Sequence, residues 1–196
     1  MKRALLFLAV CATAAGCSDS KVVVRAALAE GGEPIVDMPV YLLPYDRKAL
    51  MDSLARASDE PEPTIPAHLV QQLERLNAAP VVPGDSASRA NVALRTVLRA
   101  RIDSIRAARA QWRQRVFAPF DSIAHYKESE LAETAAADTT DARGLAAIPA
   151  DEGRFWIYAT YVLPETTLEW NLPVSVRGDS VVVPLTRKNA KEQRFF

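Results

Sequence analysis

The chain has 196 residues, with 24 lysines and arginines against 24 aspartates and glutamates, a formal net charge of zero. That balance excludes a global bias toward nucleic acid or an acidic lipid surface, and the length bounds the chain to one or two domains. The two cysteines, Cys11 and Cys17, both lie near the start of the chain.

The chain opens with Lys2 and Arg3, an apolar run from Ala4 to Val10, and the small residues Ala12, Thr13, Ala14, Ala15 and Gly16. This is the order of a secretory signal peptide, and the run is far short of the ~20 apolar residues that span a bilayer. Residues 1–16 are therefore read as a signal peptide. The tetrad Ala14-Ala15-Gly16-Cys17 resembles the lipobox of bacterial lipoproteins, departing from it at Ala14, where leucine is usual. Its small residues alone would also satisfy the plain signal peptidase. The lipobox resemblance implies cleavage before Cys17, which becomes the lipid attachment site, bearing a diacylglycerol thioether and an amide-linked acyl chain. Several acyl chains at ~0.8 kcal/mol per buried CH₂ hold a protein firmly at a membrane. Ser18, where aspartate would favour the inner membrane, points to the outer membrane, on its periplasmic or surface side. Cys11 leaves with the peptide, so the mature chain keeps no free thiol for disulfides, CxxC redox chemistry or thiolate metal sites. Its 22 basic and 24 acidic residues leave a net charge of −2.

Composition then divides the chain into three. Residues 17–45 and 139–196 are rich in Val, Tyr, Trp and turn residues, whereas the 93 residues 46–138 hold nineteen alanines and one glycine, Gly84. The outer parts read as strands and the middle as helices. Val22, Val24, Ala26 and Leu28 share one face of a first strand, and Val40 and Leu42 one face of a second. In the middle, Asp46 is placed to N-cap a helix carrying Leu50 and Leu54 that stops before "DEPEPTIP", whose three prolines break helix. Pro66 suits the first turn of a second helix with Leu69, Val70, Leu73 and Leu76 on one face. "VVPGDSAS" is a loop offering Asp85, Ser86 and Ser88 as caps for a third. That helix, over 87–118, carries Leu94, Leu98, Ile102, Ile105, Ala108, Trp112 and Val116 at steps of three and four. Pro119 must end or kink it, although Phe120 and Ile123 keep the stripe in register.

Beyond the helices, strands are read at 154–162, 170–176 and 180–186, with turn signals at 151–153 and 177–179. Short strands at this spacing argue a β-sandwich. Pro173, which lacks an N–H, makes 170–176 an edge or a bulge. Phe155, Ile157, Ala159 and Tyr161 point one way, and Trp156, Tyr158 and Val162 the other. A strand apolar on both faces is covered on both, and the helical segment is the expected second cover.

"EGGEPIVDMPVYLLP" and "TTDARGLAAIPADEGRFWIYATY" resemble the opening and the central block of carboxypeptidase regulatory-like domains, relatives of transthyretin-like and Cna-B sandwiches. The chain departs from that pattern in its 93-residue helical segment and in Phe155-Trp156, where a tyrosine is usual. The resemblance implies an α+β fold: an Ig-like or prealbumin-like antiparallel sandwich, formed discontinuously by 17–45 and 139–196 and interrupted by a helical insertion over 46–138. Some Cna-B domains join a first-strand lysine to a last-strand asparagine beside a carboxylic acid. Lys21, Asn189 and Glu152 or Glu169 stand near the corresponding ends, but the reaction needs a buried lysine and Lys21 follows the lipid anchor by four residues.

Chemistry is sparse. No HExxH, GxSxG, Walker or GxGxxG pattern occurs, and His68 and His125 stand without partners at metal-ligand spacing, so no catalytic, metal or cofactor site is expected. Residues 89–115 carry eight arginines against Asp103 alone. Among them Arg95, Arg99, Arg106 and Arg113 recur at steps of four, seven and seven along one flank of the apolar stripe. They are expected either to form a solvated flank paired with Glu128, Glu130 and Glu133, or to bind an anionic partner such as a lipid headgroup, an acidic polysaccharide or a protein. The sequence thus reads as a non-enzymatic binding or scaffolding lipoprotein of the bacterial envelope. Its partners would be the membrane and an envelope protein or glycan, not nucleic acid.

Overall fold

The computed structural model describes residues 20–80, 82–131 and 133–194; the residues read above as signal peptide and lipobox, Cys17 included, lie outside them. β1 (Lys21–Ala26) alternates strictly, burying Val22, Val24 and Ala26 and exposing Lys21 and Arg25. β2 (Pro39–Leu43) follows, with Val40 and Leu42 buried. Four helices come next: α1 (Arg47–Ala57), α2 (Ala67–Ala78), α3 (Ser86–Val116) and α4 (Phe120–Leu131). The chain then returns to strands: β3 (Ala136–Thr139), β4 (Leu145–Pro149), β5 (Gly153–Val162), β6 (Thr166–Val176), β7 (Ser180–Leu185), a 3-10 turn at Arg187–Asn189, and β8 (Lys191–Arg194).

Among the described residues the strands form two sheets, ordered β4-β1-β7 and β3-β2-β5-β6-β8. β1 runs parallel to β7, with Val22 opposite Val181 and Ala26 opposite Leu185; every other pairing is antiparallel. The architecture is therefore mixed α+β with two sheets that are largely antiparallel. Their inward faces meet in one core, with Val22, Val24, Ile148 and Leu185 from the smaller sheet against Val40, Leu42, Ile157, Leu168 and Trp170 from the larger. Trp170 is fully buried, and its indole N–H donates to the Thr186 carbonyl at 2.9 Å and to Asn189 Oδ1 at 3.0 Å. A buried indole needs such partners.

β5 is covered on both faces. Phe155, Ile157 and Ala159 enter the inter-sheet core, while Trp156 and Tyr158 pack beneath α1 and α4 with Tyr45, Leu50, Phe120 and Ala124. Val162 runs past that cover and is 68% exposed. Along β6, β8 pairs only with residues 166–169, so the strand is an edge at Pro173. A residue without an N–H is tolerated at such an edge.

The helix caps fall where the sequence placed them. Asp46 accepts from the Ala49 N–H at 2.9 Å, and Asp85 accepts from the Ser88 N–H at 2.8 Å. Pro66 stands just before the first turn of α2. α3 is ~46 Å long at 1.5 Å per residue. It stops at Val116 because Pro119 has no N–H for the carbonyl four residues back and disfavours helix at Ala118, so α4 begins as a separate helix. Leu98, Ile102 and Ile105 of α3 pack on Leu69, Leu73 and Leu76 of α2 in a small core that shares no residue with the other two. Helical structure ends at Leu131 and β3 already starts at Ala136, earlier than the change in composition suggests. Ala136 and Ala137 pair with Leu42 and Tyr41, where small side chains fit a pleated edge as well as a helix.

Lys21 and Asn189 lie at opposite ends of the β1–β7 pair. Lys21 is exposed opposite Ser180, whereas Asn189 follows Leu185, the partner of Ala26, and is engaged by Trp170, Thr186 and Pro184. Five residues of strand separate them, ~17 Å, so this pair forms no crosslink.

Candidate functional site

The arginine flank of α3 arises directly from the helical period. Steps of four and seven return a side chain to nearly the same side, so a helix that turns Leu98, Ile102 and Ile105 toward α2 holds the arginines beside that contact. Arg95 to Arg113 spans eighteen residues, ~27 Å along the axis. The four side chains therefore meet different surroundings. Arg95 is half-buried, and its Nε and Nη2 have no hydrogen-bond partner among the described residues. Arg99 Nη2 donates to Asn77 Oδ1 at 3.3 Å, and Arg106 Nη1 meets Asp103 within its own helix at 3.0 Å. These two border a groove of about 320 Å³ between α2 and α3, with Ile65, Leu73 and Glu74. Arg113 reaches Glu62 at 3.3 Å, and the same carboxylate accepts from Arg109 at 2.7 Å.

The expected pairing with Glu128, Glu130 and Glu133 is not made. The break at 117–119 turns α4 onto α1 and the sheet, and Glu130 pairs instead with Lys127 at 3.7 Å. The acids that meet the arginines come from "DEPEPTIP", the extended segment between α1 and α2. Glu60 binds Arg115 at 3.1 Å, its carbonyl accepts from the Trp112 indole at 2.8 Å, and Glu62 bridges Arg109 and Arg113. The prolines that end α1 keep this strap extended, so its acids line up along α3 rather than winding away. Burial raises the pKa of Glu62, but the hydrogen bond and charge of Arg109, then those of Arg113, outweigh it and hold the carboxyl below its usual value.

Arg109 and Arg113 lead into a larger cleft, about 560 Å³, between α1, the end of α3 and the outer face of β5, β6 and β8. Arg47, Tyr158 and Lys191 also line it. Arg47 lies over the Phe120 ring at 4.3 Å and the Tyr158 ring at 4.6 Å, and Arg113 over Phe117 at 5.4 Å. Of the predicted arginines Arg113 alone lines this cleft; Arg47, Arg109 and Lys191 were not singled out by sequence. The paired outward aromatics of β5 were the one signal pointing there.

His68 and His125 are exposed on α2 and α4. Among the described residues no group of three or more His, Cys, Asp or Glu is placed to hold a metal ion, and no helix is long and apolar enough to cross a membrane. No family model, curated protein or solved structure matches the chain.

Proposed function

We propose that this protein is a lipid-anchored lipoprotein of the bacterial envelope, acting as a non-enzymatic binding or scaffolding module on the outer membrane. The observation that carries the reading is the N-terminal order of Lys2-Arg3, apolar run and Ala14-Ala15-Gly16-Cys17, with β1 starting only four residues later at Lys21. Four extended residues reach at most ~14 Å, so acyl chains on Cys17 would hold the end of the sheets where Lys21 meets Pro149 and Ser180 close to the membrane. The Cys17→Ala protein is expected to be extractable without detergent; partition with membranes like that of the unsubstituted protein contradicts the anchor.

For the fold, the reading is a carboxypeptidase regulatory-like, prealbumin-like sandwich carrying a helical insertion between β2 and β3. Strand order supports it, since β1 pairs with β4 and β7 while β2 lies in the other sheet. An immunoglobulin constant-type sandwich instead keeps its first two strands in one sheet, which argues against the Ig-like form.

A second reading, a carbohydrate- or lipid-binding module using the arginine face of α3, is favoured by Arg95. Two of its buried nitrogens lack an acceptor among the described residues, and an anion would provide one. Salt-sensitive retention on an anionic glycan or lipid, lost in Arg95→Gln, is the expected signature; salt-independent retention counts against it.

A further inference from the structure

We propose that the cleft between α1, the end of α3 and the outer face of β5, β6 and β8 binds a polar, sugar-sized ligand through an oxyanion, a carboxylate or phosphate, held by Arg47 and Arg113. The site draws on no residue before Arg47 and shares only Arg113 with the predicted arginine flank.

Five cationic side chains line the cleft against three acids. Asp52 is taken by Lys48 within α1, Glu62 is divided between Arg109 and Arg113, and Glu169 accepts from the neutral Gln193 amide at 2.6 Å and keeps its charge across from Lys191, so the cations exceed the acids by two. Arg47 and Lys191 form no ion pair with any described residue, which leaves the cleft a surplus of positive charge that an anion would neutralise.

Geometry points the same way. The Arg47 guanidinium is held by two aromatic rings and by no carboxylate among the described residues, while Arg113 lies over one ring and gives only Nη1 to the Glu62 it shares with Arg109. A guanidinium fixed by its flat face keeps its N–H edge free, and that edge matches two oxygens of a carboxylate or phosphate. A volume of about 560 Å³ lies within the range of small-molecule sites. Thr160, Thr167 and Gln193 supply hydroxyl and amide groups to the lining, which suits a hydroxylated ligand better than a lipid tail.

The test is isothermal titration calorimetry of the full-length protein in nonionic detergent with three probes: trigalacturonate for the carboxylate, glucose 6-phosphate for the phosphate, and maltotriose as the neutral control. At least one acidic probe is expected to bind with one-to-one stoichiometry at a Kd of about 1 mM or tighter, and maltotriose about tenfold more weakly or not at all. Whichever acidic probe binds identifies the source of the oxyanion. Arg47→Gln and Arg113→Gln are each expected to weaken binding about tenfold, the order of a charge-assisted hydrogen bond. Lys191→Gln, at an exposed strand edge where folding is not at risk, is expected to weaken it less. Arg89→Gln, on α3 outside the cleft, is expected to change nothing. Failure of both acidic probes, equal binding of maltotriose, or an Arg89→Gln effect as large as that of Lys191→Gln would overturn the proposal.

Discussion

Gly144 shows how little freedom single positions in the sheets have. Its φ is +71°, and a Cβ there would stand 2.3 Å from the Ala26 carbonyl oxygen and 3.0 Å from Pro34 Cβ. Its own carbonyl accepts from the Ala26 N–H at 2.8 Å, so the turn cannot withdraw without releasing β1. Gly144→Ala combines a left-handed backbone with a backbone clash, and a loss of at least ~2 kcal/mol is expected from denaturant unfolding. Glu62 is restrained by charge rather than by sterics. With its pKa lowered in the folded protein, its contribution is present above the ordinary carboxylate value and lost as pH falls through the depressed one. Stability is therefore expected to fall more steeply on acidification below pH ~4.5 in the wild type than in Glu62→Gln; identical profiles would mean that the bridge to Arg109 and Arg113 adds nothing.

At the scale of elements, apolar periodicity told most of the story. Alternation in β1, the two-faced pattern of β5 and the three-four stripe of α3 each state which side is buried, because burial is what those patterns exist to achieve. β8, "KEQR", was not legible: it joins β6 through backbone hydrogen bonds at a short charged edge and buries no apolar stripe. "DEPEPTIP" was legible as a helix breaker but not as a strap, since proline spacing says where a helix stops and not what the extended chain lies against. α1 is seated by its own cap, because Asp46 Oδ1 also accepts from Asn171 Nδ2 of β6 at 2.8 Å. Asp46→Ala is expected to cost about 1–2 kcal/mol in global unfolding, the upper part of that range reflecting the stranded Asn171 amide. The α2–α3 hairpin, by contrast, rests on a core whose buried residues, among those described, are Leu69, Leu98 and Ile102. Leu98→Ala, worth ~2–5 kcal/mol at a buried leucine, is expected to speed amide exchange in α2 while β1 and β5 keep their protection. Equal acceleration in the sheets would mean that hairpin and sheets unfold as one unit.

Among the described residues three cores are found: one between the sheets, one between the larger sheet and α1 with α4, and one within the hairpin. The cleft opens beside the second, where elements distant in sequence converge. That is why the candidate site was less legible than the fold: Arg47, Arg113, Tyr158 and Lys191 sit on four elements, and no local spacing relates them. The proposed anchor is the reverse case, read wholly from local order at the N-terminus. Its lipid would fix which end of the sheets faces the membrane, and with it where the cleft and the hairpin are presented. The most direct measurement of that claim is the intact mass of the protein extracted from its native membranes. A chain beginning at Cys17 is expected, its mass exceeding that of the bare polypeptide by a diacylglyceryl group and one amide-linked acyl chain. A chain that retains residues 1–16, or one that carries no lipid, would contradict it.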